Sequence, residues 1–199
     1  MTEHEPEHEP EHEREPEPKR EIPTPTGGFL LVASPDLKDP NFERTVVLML
    51  NHDDEGAFGL VLNRPLEHRL VDVIEDVDPR WADVQLHQGG PVQTNVLQFV
   101  CRDVGKGQTV VEDVSVGAGL EDLLESEPAA GGVRAFAGYA GWGGGQLEQE
   151  TSEGSWIVRP AEARHVFGIP PERLWVTVLR ELGGNYAWMS LSGGDPSEN

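Results

Sequence analysis

Cysteine is almost missing from this chain: Cys101 stands alone in 199 residues, which excludes an intrachain disulfide and a Cys-rich zinc site. Positive charge is also scarce. Fifteen Lys and Arg face thirty-six Asp and Glu, for a formal net charge of -21. Residues 1–21 hold nine Glu against three basic residues, so positions 22–199 still carry -15. A chain so short of cations lacks the Lys and Arg that release counterions from a phosphate backbone, and direct nucleic-acid contact is not expected. Long apolar runs are lacking as well. None approaches the ~20 residues of a membrane span, and the N-terminus is acidic where a secretory leader would be basic and then apolar. The expectation is a soluble, cytoplasmic protein with no membrane partner. No repeat of 20 to 50 residues is visible either.

What is present divides into a tail and a domain. Residues 1–26 run through HEPE, HEPE and HERE with no aromatic and one large aliphatic, Ile22. Such a segment cannot bury enough apolar surface to offset its ordering entropy, so it reads as a disordered acidic tail. Its two formal H-E-x-x-H matches, His4 to His8 and His8 to His12, have Pro6 and Pro10 inside the would-be helical turn, and no catalytic metal is expected there. Residues 195–199 read as a disordered C-terminus, and 27–194 as a single domain.

Within the domain, short apolar runs bounded by turn signals predict strands at 28–34, 45–51 and 58–63, the last two forming a hairpin about Asp53–Gly56. Further strands are expected at 84–87, 96–102, 133–142 and 155–158. Helical spacing of Leu70, Val73, Ile74 and Val77 predicts a short helix over 69–77, and Leu120, Leu123 and Leu124 another over 119–127. The stretch from Gly141 to Glu150 is expected to turn from strand into helix. AEARHVFG and PERLWVTVLRELGG read as helices, with Pro171 suited to a first turn and Gly183 to a stop. Strands outnumber helices and the hairpins are local, which makes the fold class α+β with a mostly antiparallel sheet.

The familiar catalytic signatures are incomplete. Gly141-Trp142-Gly143-Gly144-Gly145-Gln146 has Gln where a dinucleotide fingerprint needs its third glycine, and Gly105-Lys106 is followed by Gly107 where a P-loop needs Ser or Thr. Asp113 replaces the first glycine of a nucleophile elbow around Ser115. Cys101, in LQFVCR, reads as a small core residue rather than a reactive thiol. His52 beside Asp53, Asp54 and Glu55 fits a solvated hairpin tip better than a metal cluster.

Four motifs in order, FLLVASPDLKDPNFERTVV, NHDDEGAFGLVLNRPL, QGGPV and FAGYAGWGGGQLEQE followed by LW, resemble the YqgE/AlgH family of bacterial proteins over nearly all of residues 27–190. The resemblance implies a single α+β domain with a bifurcated, partly barrel-like sheet flanked by short helices. It also brings a transcriptional-regulator label, from a link to alginate production in one member. The motif positions here include Pro35, Asp39, Phe42, Arg44, His52, Gly56, Gly59, Asn63, Pro65, Gly89, Gly90, Pro91, Gly138, Gly141, Trp142, Gln146, Leu147 and Glu148. Two readings of the polar ones stand side by side: a network holding irregular backbone, or a pocket. The pocket reading groups Arg44, Asn63 and Pro65 with Gly138, Trp142, Gln146 and Glu148, and leaves His52 as a weaker, separate candidate. The expected function is a binding or regulatory module acting through a small molecule or protein partner, without a cofactor or metal. The alternative is an enzyme whose polar cleft holds Arg44 and Glu148, with His52 as acid or base.

Overall fold

The computed structural model describes residues 27–102, 107–117 and 131–192. The tail, the C-terminal residues 195–199 and the helix expected over 119–127 lie outside the described residues. The strands are β1 (Phe29–Ala33), β2 (Val46–Asp53), β3 (Gly56–Val61), β4 (Pro65–Arg69), β5 (Gln85–Gln88), β6 (Val92–Cys101), β7 (Gln108–Val111), β8 (Val114–Val116), β9 (Val133–Gly143) and β10 (Trp156–Pro160). The helices are α1 (Gln146–Ser152), α2 (Ala163–Phe167), α3 (Pro171–Leu182) and α4 (Gly184–Ser192).

The sheet runs β10-β1-β2-β3-β9-β6-β8-β7, and β9 is where it forks. The C-terminal half of β9 pairs with β3, whereas its N-terminal half lies between antiparallel β6 and parallel β5, which carries β4. The fold is therefore α+β, mostly antiparallel and curled. β1 and β2 are covered on both faces, which is why FLLVA and VVLML are unbroken apolar runs rather than alternating ones. One face packs Leu30, Leu48, Leu60 and Phe136 under α2 and α3, whose Val166, Leu174, Trp175 and Val178 are buried. The other packs Leu31, Val47, Met49 and Ala57 under Leu147 of α1, Trp156 and Phe42. A third cluster, with Leu70, Trp81, Leu86 and Phe99, fills the β5–β6 branch.

The fork rests on glycine. A Cβ on Gly89 would lie 2.2 Å from the Gly138 carbonyl oxygen, and one on Gly90 would lie 2.1 Å from the Tyr139 carbonyl carbon, so QGGP crosses β9 backbone against backbone. Gly138 itself has φ +71°. Helix α3 starts on Pro171 and stops at Gly183 (φ +71°), as expected. Glu181 near its end accepts hydrogen bonds from Arg159, Arg164 and buried His165, tying α2, α3 and β10 together. These donors, Arg164 first, bring its carboxyl down to about 2.

One expected helix is corrected. Over 69–77 only Leu70–Asp72 forms a 3-10 turn. The N–H groups of Leu70 and Val71 donate to the carbonyls of Val84 and Ala82, which ties the segment to the chain entering β5, and Val71 and Val73 face outward. Strands β4, β7 and β8 and helix α4 were not anticipated.

Candidate functional site

The hairpin β2–β3 sets the geometry of the region. Its tip is a two-residue turn in which Asp53 pairs with Gly56. Asp53 accepts hydrogen bonds from the N–H groups of Glu55 (2.9 Å) and Gly56 (3.2 Å) and from Asn51 Nδ2 (2.8 Å). The Asn51 amide is the main cause that holds the Asp53 carboxyl below the usual carboxylate range. Met49 faces Gly59 but Asn51 faces Phe58, so Leu50 is an extra residue, a β-bulge, and side chains beyond it change face.

The bulge decides which residues meet. His52 and Ala57 fall on the face covered by α1, where His52 Nε2 lies 2.7 Å from Glu148 Oε1. On the same face Trp142 stacks on Phe42 (5.9 Å) and meets Trp156 edge-on. The indole N–H groups of Trp142 (3.0 Å) and Trp156 (2.8 Å) both donate to Glu150 Oε2. Gln146 accepts from the Gly143 N–H (3.1 Å) and donates to Glu150 (2.8 Å), so its amide closes the strand-to-helix bend.

At the other end of β2, Asn63 Oδ1 accepts from the Val46 N–H (2.9 Å) and its Nδ2 donates to the Arg44 carbonyl (2.8 Å). Arg44, with φ +55°, lays its guanidinium over the Trp175 ring. Pro65 is exposed and opens β4, a place in a strand that tolerates a missing N–H. The grouping read from the sequence is therefore rearranged: Glu148 and Gln146 lie at the His52 end of the hairpin, and Arg44, Asn63 and Pro65 at the other. Eight residues of near-extended chain, roughly 26 Å, separate Arg44 from His52. Gly138 belongs to the fork.

The depression in this region opens on the opposite face of the hairpin tip. It has a volume of about 660 Å³ and is lined by Asn51, Asp53, Phe58, Gln98, Tyr139 and Gly141, among others. Phe58 is 38 % exposed and meets Tyr139 edge-on at 6.2 Å. Gly141 pairs with Phe58 across the strands, and a Cβ there would meet the Tyr139 ring edge at 3.2 Å. The space exists because position 141 carries no side chain. Of the residues named from the sequence, Trp142 borders it although its indole packs on the other face, and Gly56 and Gly141 from the family motifs and Asp53 and Glu55 from the hairpin tip line it too. Asn51, Phe58, Gln98 and Tyr139 carry no local signal of a site, because only cross-strand register brings Asn51, Phe58 and Gly141 together.

Cys101 is buried, and burial pushes its thiol up to about 12, as suits a core residue. Among the described residues no group of three His, Cys, Asp or Glu is arranged to hold a metal ion, and no helix is long and apolar enough to cross a membrane.

A forked, curled sheet with short helices on both faces and a groove beside a bulged hairpin defines a class of small α+β domains. A family model described as AlgH-like matches residues 30–187, and the chain belongs to that family. It is 45 % identical over 188 residues to a UPF0301 protein of Streptomyces coelicolor, covering 86 % of this chain and 94 % of the relative. The solution structure of the AlgH protein from Pseudomonas aeruginosa superposes with a TM-score of 0.66 at 30 % identity, covering 84 % of this chain and 94 % of that one. A crystal structure of a Corynebacterium diphtheriae protein gives 0.68 at 27 % identity, with 83 % and 92 % covered.

Proposed function

We propose that the domain is a binding module whose ligand occupies the groove between the hairpin tip and β9, and that any regulatory role runs through this ligand rather than through DNA contact. The observation that carries the reading is Gly141. A strand residue on an exposed face ordinarily bears a side chain, and its absence here leaves an aromatic-floored space rimmed by amides and two carboxylates. Asn63 serves the backbone of Arg44 and Val46, and the Arg44 guanidinium packs on Trp175, which supports the scaffold reading for that end. An enzyme built on Arg44 and Glu148 would need them in one cleft, whereas Arg44 lies on Trp175 and Glu148 on His52.

The test compares wild-type protein with Gly141→Leu in thermal-shift measurements against a defined library of amino acids, amines, nucleotides and short peptides. Compounds should raise the melting temperature of the wild type and leave the filled-groove variant unmoved. Equal shifts in both proteins, or none in either, would overturn the proposal.

A further inference from the structure

The chemistry of the groove specifies its ligand further. Its lining residues include two acids, Asp53 and Glu55, two carboxamides, Asn51 and Gln98, and the ring pair Phe58 and Tyr139, but no Lys, Arg or His. Asp53 is fixed in orientation by the turn N–H groups and the Asn51 amide, all neutral donors, and no Lys or Arg among the described residues pairs with it or with Glu55. Asp53 then keeps about one of its four lone-pair sites free, and no Lys or Arg neutralises its charge. The exposed Phe58, set edge-on to Tyr139, offers the negative face of a ring to a cation. A planar guanidinium satisfies all three features at once: it pairs with carboxylate, donates to amide oxygens and stacks on an aromatic face.

The rim indicates what carries that guanidinium. In β6, Val92 pairs with Tyr139 and Leu97 with Ala137, so four residues, Gln93–Val96, loop past the single Gly138 and have no register partner among the described strands. Gln93 has φ +48°, and Val96 is 40 % exposed. Val92 borders the groove at one end of this excursion and Gln98 lies just beyond the other. An unpaired strand edge beside a side-chain pocket suits an extended polypeptide, with backbone pairing along the edge and one side chain inserted. The charge of -15 over positions 22–199 favours a basic partner over long range.

Resting on the groove reading above, we infer that the groove receives an arginine side chain presented by an extended, basic segment of a partner protein.

The experiment titrates the full-length chain into fluorescent nonapeptides at physiological salt, with central residue Arg, Lys or citrulline, the last nearly isosteric with Arg but uncharged. The Arg peptide should bind, and citrulline should weaken binding at least tenfold. Asp53→Asn should give a similar loss while lowering the melting temperature by only the few degrees that losing one turn acceptor entails, and Gly141→Leu should abolish binding. Free arginine amide should compete only at far higher concentration. Equal binding of the citrulline peptide, or indifference to Asp53→Asn, would overturn the cation while leaving the groove. Arginine amide binding as tightly as the peptide would overturn the polypeptide source. Binding that survives Gly141→Leu would locate the site elsewhere and remove both readings. Failure of the Arg peptide to bind, while library compounds still depend on Gly141, would overturn this inference alone.

Discussion

Single side chains in this protein serve chiefly to complete hydrogen bonds that the curled sheet leaves open. Glu150 is the clearest case, since one of its oxygens accepts from two buried indoles. Glu150→Ala should therefore cost about 2–4 kcal/mol in denaturant unfolding, because the two buried indoles and the Gln146 amide lose their partner, whereas Glu150→Gln keeps an acceptor and should cost about 1 kcal/mol. Asn63→Ala removes two bonds to backbone groups and should cost about 1–3 kcal/mol while leaving groove binding intact. His87 gives a pH dependence. It is 4 % exposed, and burial, reinforced by Arg134, depresses its pKa from 6.5 to about 4. The unfolded chain binds more protons between those values, so the contribution of neutral His87 is complete above pH 6.5 and is lost as pH falls toward 4. That interval is worth roughly 3 kcal/mol. The unfolding free energy of wild type minus that of His87→Leu should fall by about this amount between pH 7 and pH 4, and a constant difference would contradict the assignment.

Elements meet here through backbone contacts as much as through side chains, and the crossing of QGGP over β9 is the tightest of them. Gly89→Ala would place a methyl 2.2 Å from the Gly138 carbonyl oxygen, where neither strand can retreat. The variant should be recovered unfolded or with a melting temperature lower by well over ten degrees, whereas Gly154→Ala, with open space around its Cβ, should lose far less despite its positive φ. The same crossings explain what the sequence could and could not disclose. β1, β2, β9 and α3 were legible because their apolar runs, Pro171 and Gly183 are local signals. The helix read at 69–77 failed because Leu70 and Val71 hydrogen-bond to the chain entering β5, a long-range choice that spacing does not encode. The grouping of Arg44 and Asn63 with Gln146 and Glu148 is not met for a related reason. Straight alternation puts His52 on the face of Leu48, but the extra residue Leu50 turns it toward Glu148 and turns Asn51 toward the groove, where Phe58 already points from β3. Three residues that line the groove, Gly56, Gly141 and Trp142, were legible through their motifs alone.

The whole molecule is strongly acidic, and that bears on its partners. With twelve Lys and Arg against twenty-seven acids after position 21, there is little positive surface to track a phosphate backbone. Purified protein at micromolar concentration should not retard duplex DNA at physiological salt, and tight, salt-sensitive retardation would contradict that expectation. Attraction should run toward basic partners, with affinity falling as salt rises. The groove, the unpaired stretch of β6 and the acidic hairpin tip lie together at one end of the fork, so binding should be confined to that end. The most direct measurement is an amide chemical-shift map of the isotope-labelled full chain titrated with pooled library compounds and the arginine peptide. The account predicts perturbations over Asn51–Phe58, Val92–Gln98 and Tyr139–Gly143 that vanish in Gly141→Leu; a map centred on Arg44, Asn63 and Trp175, unchanged by that substitution, would contradict it.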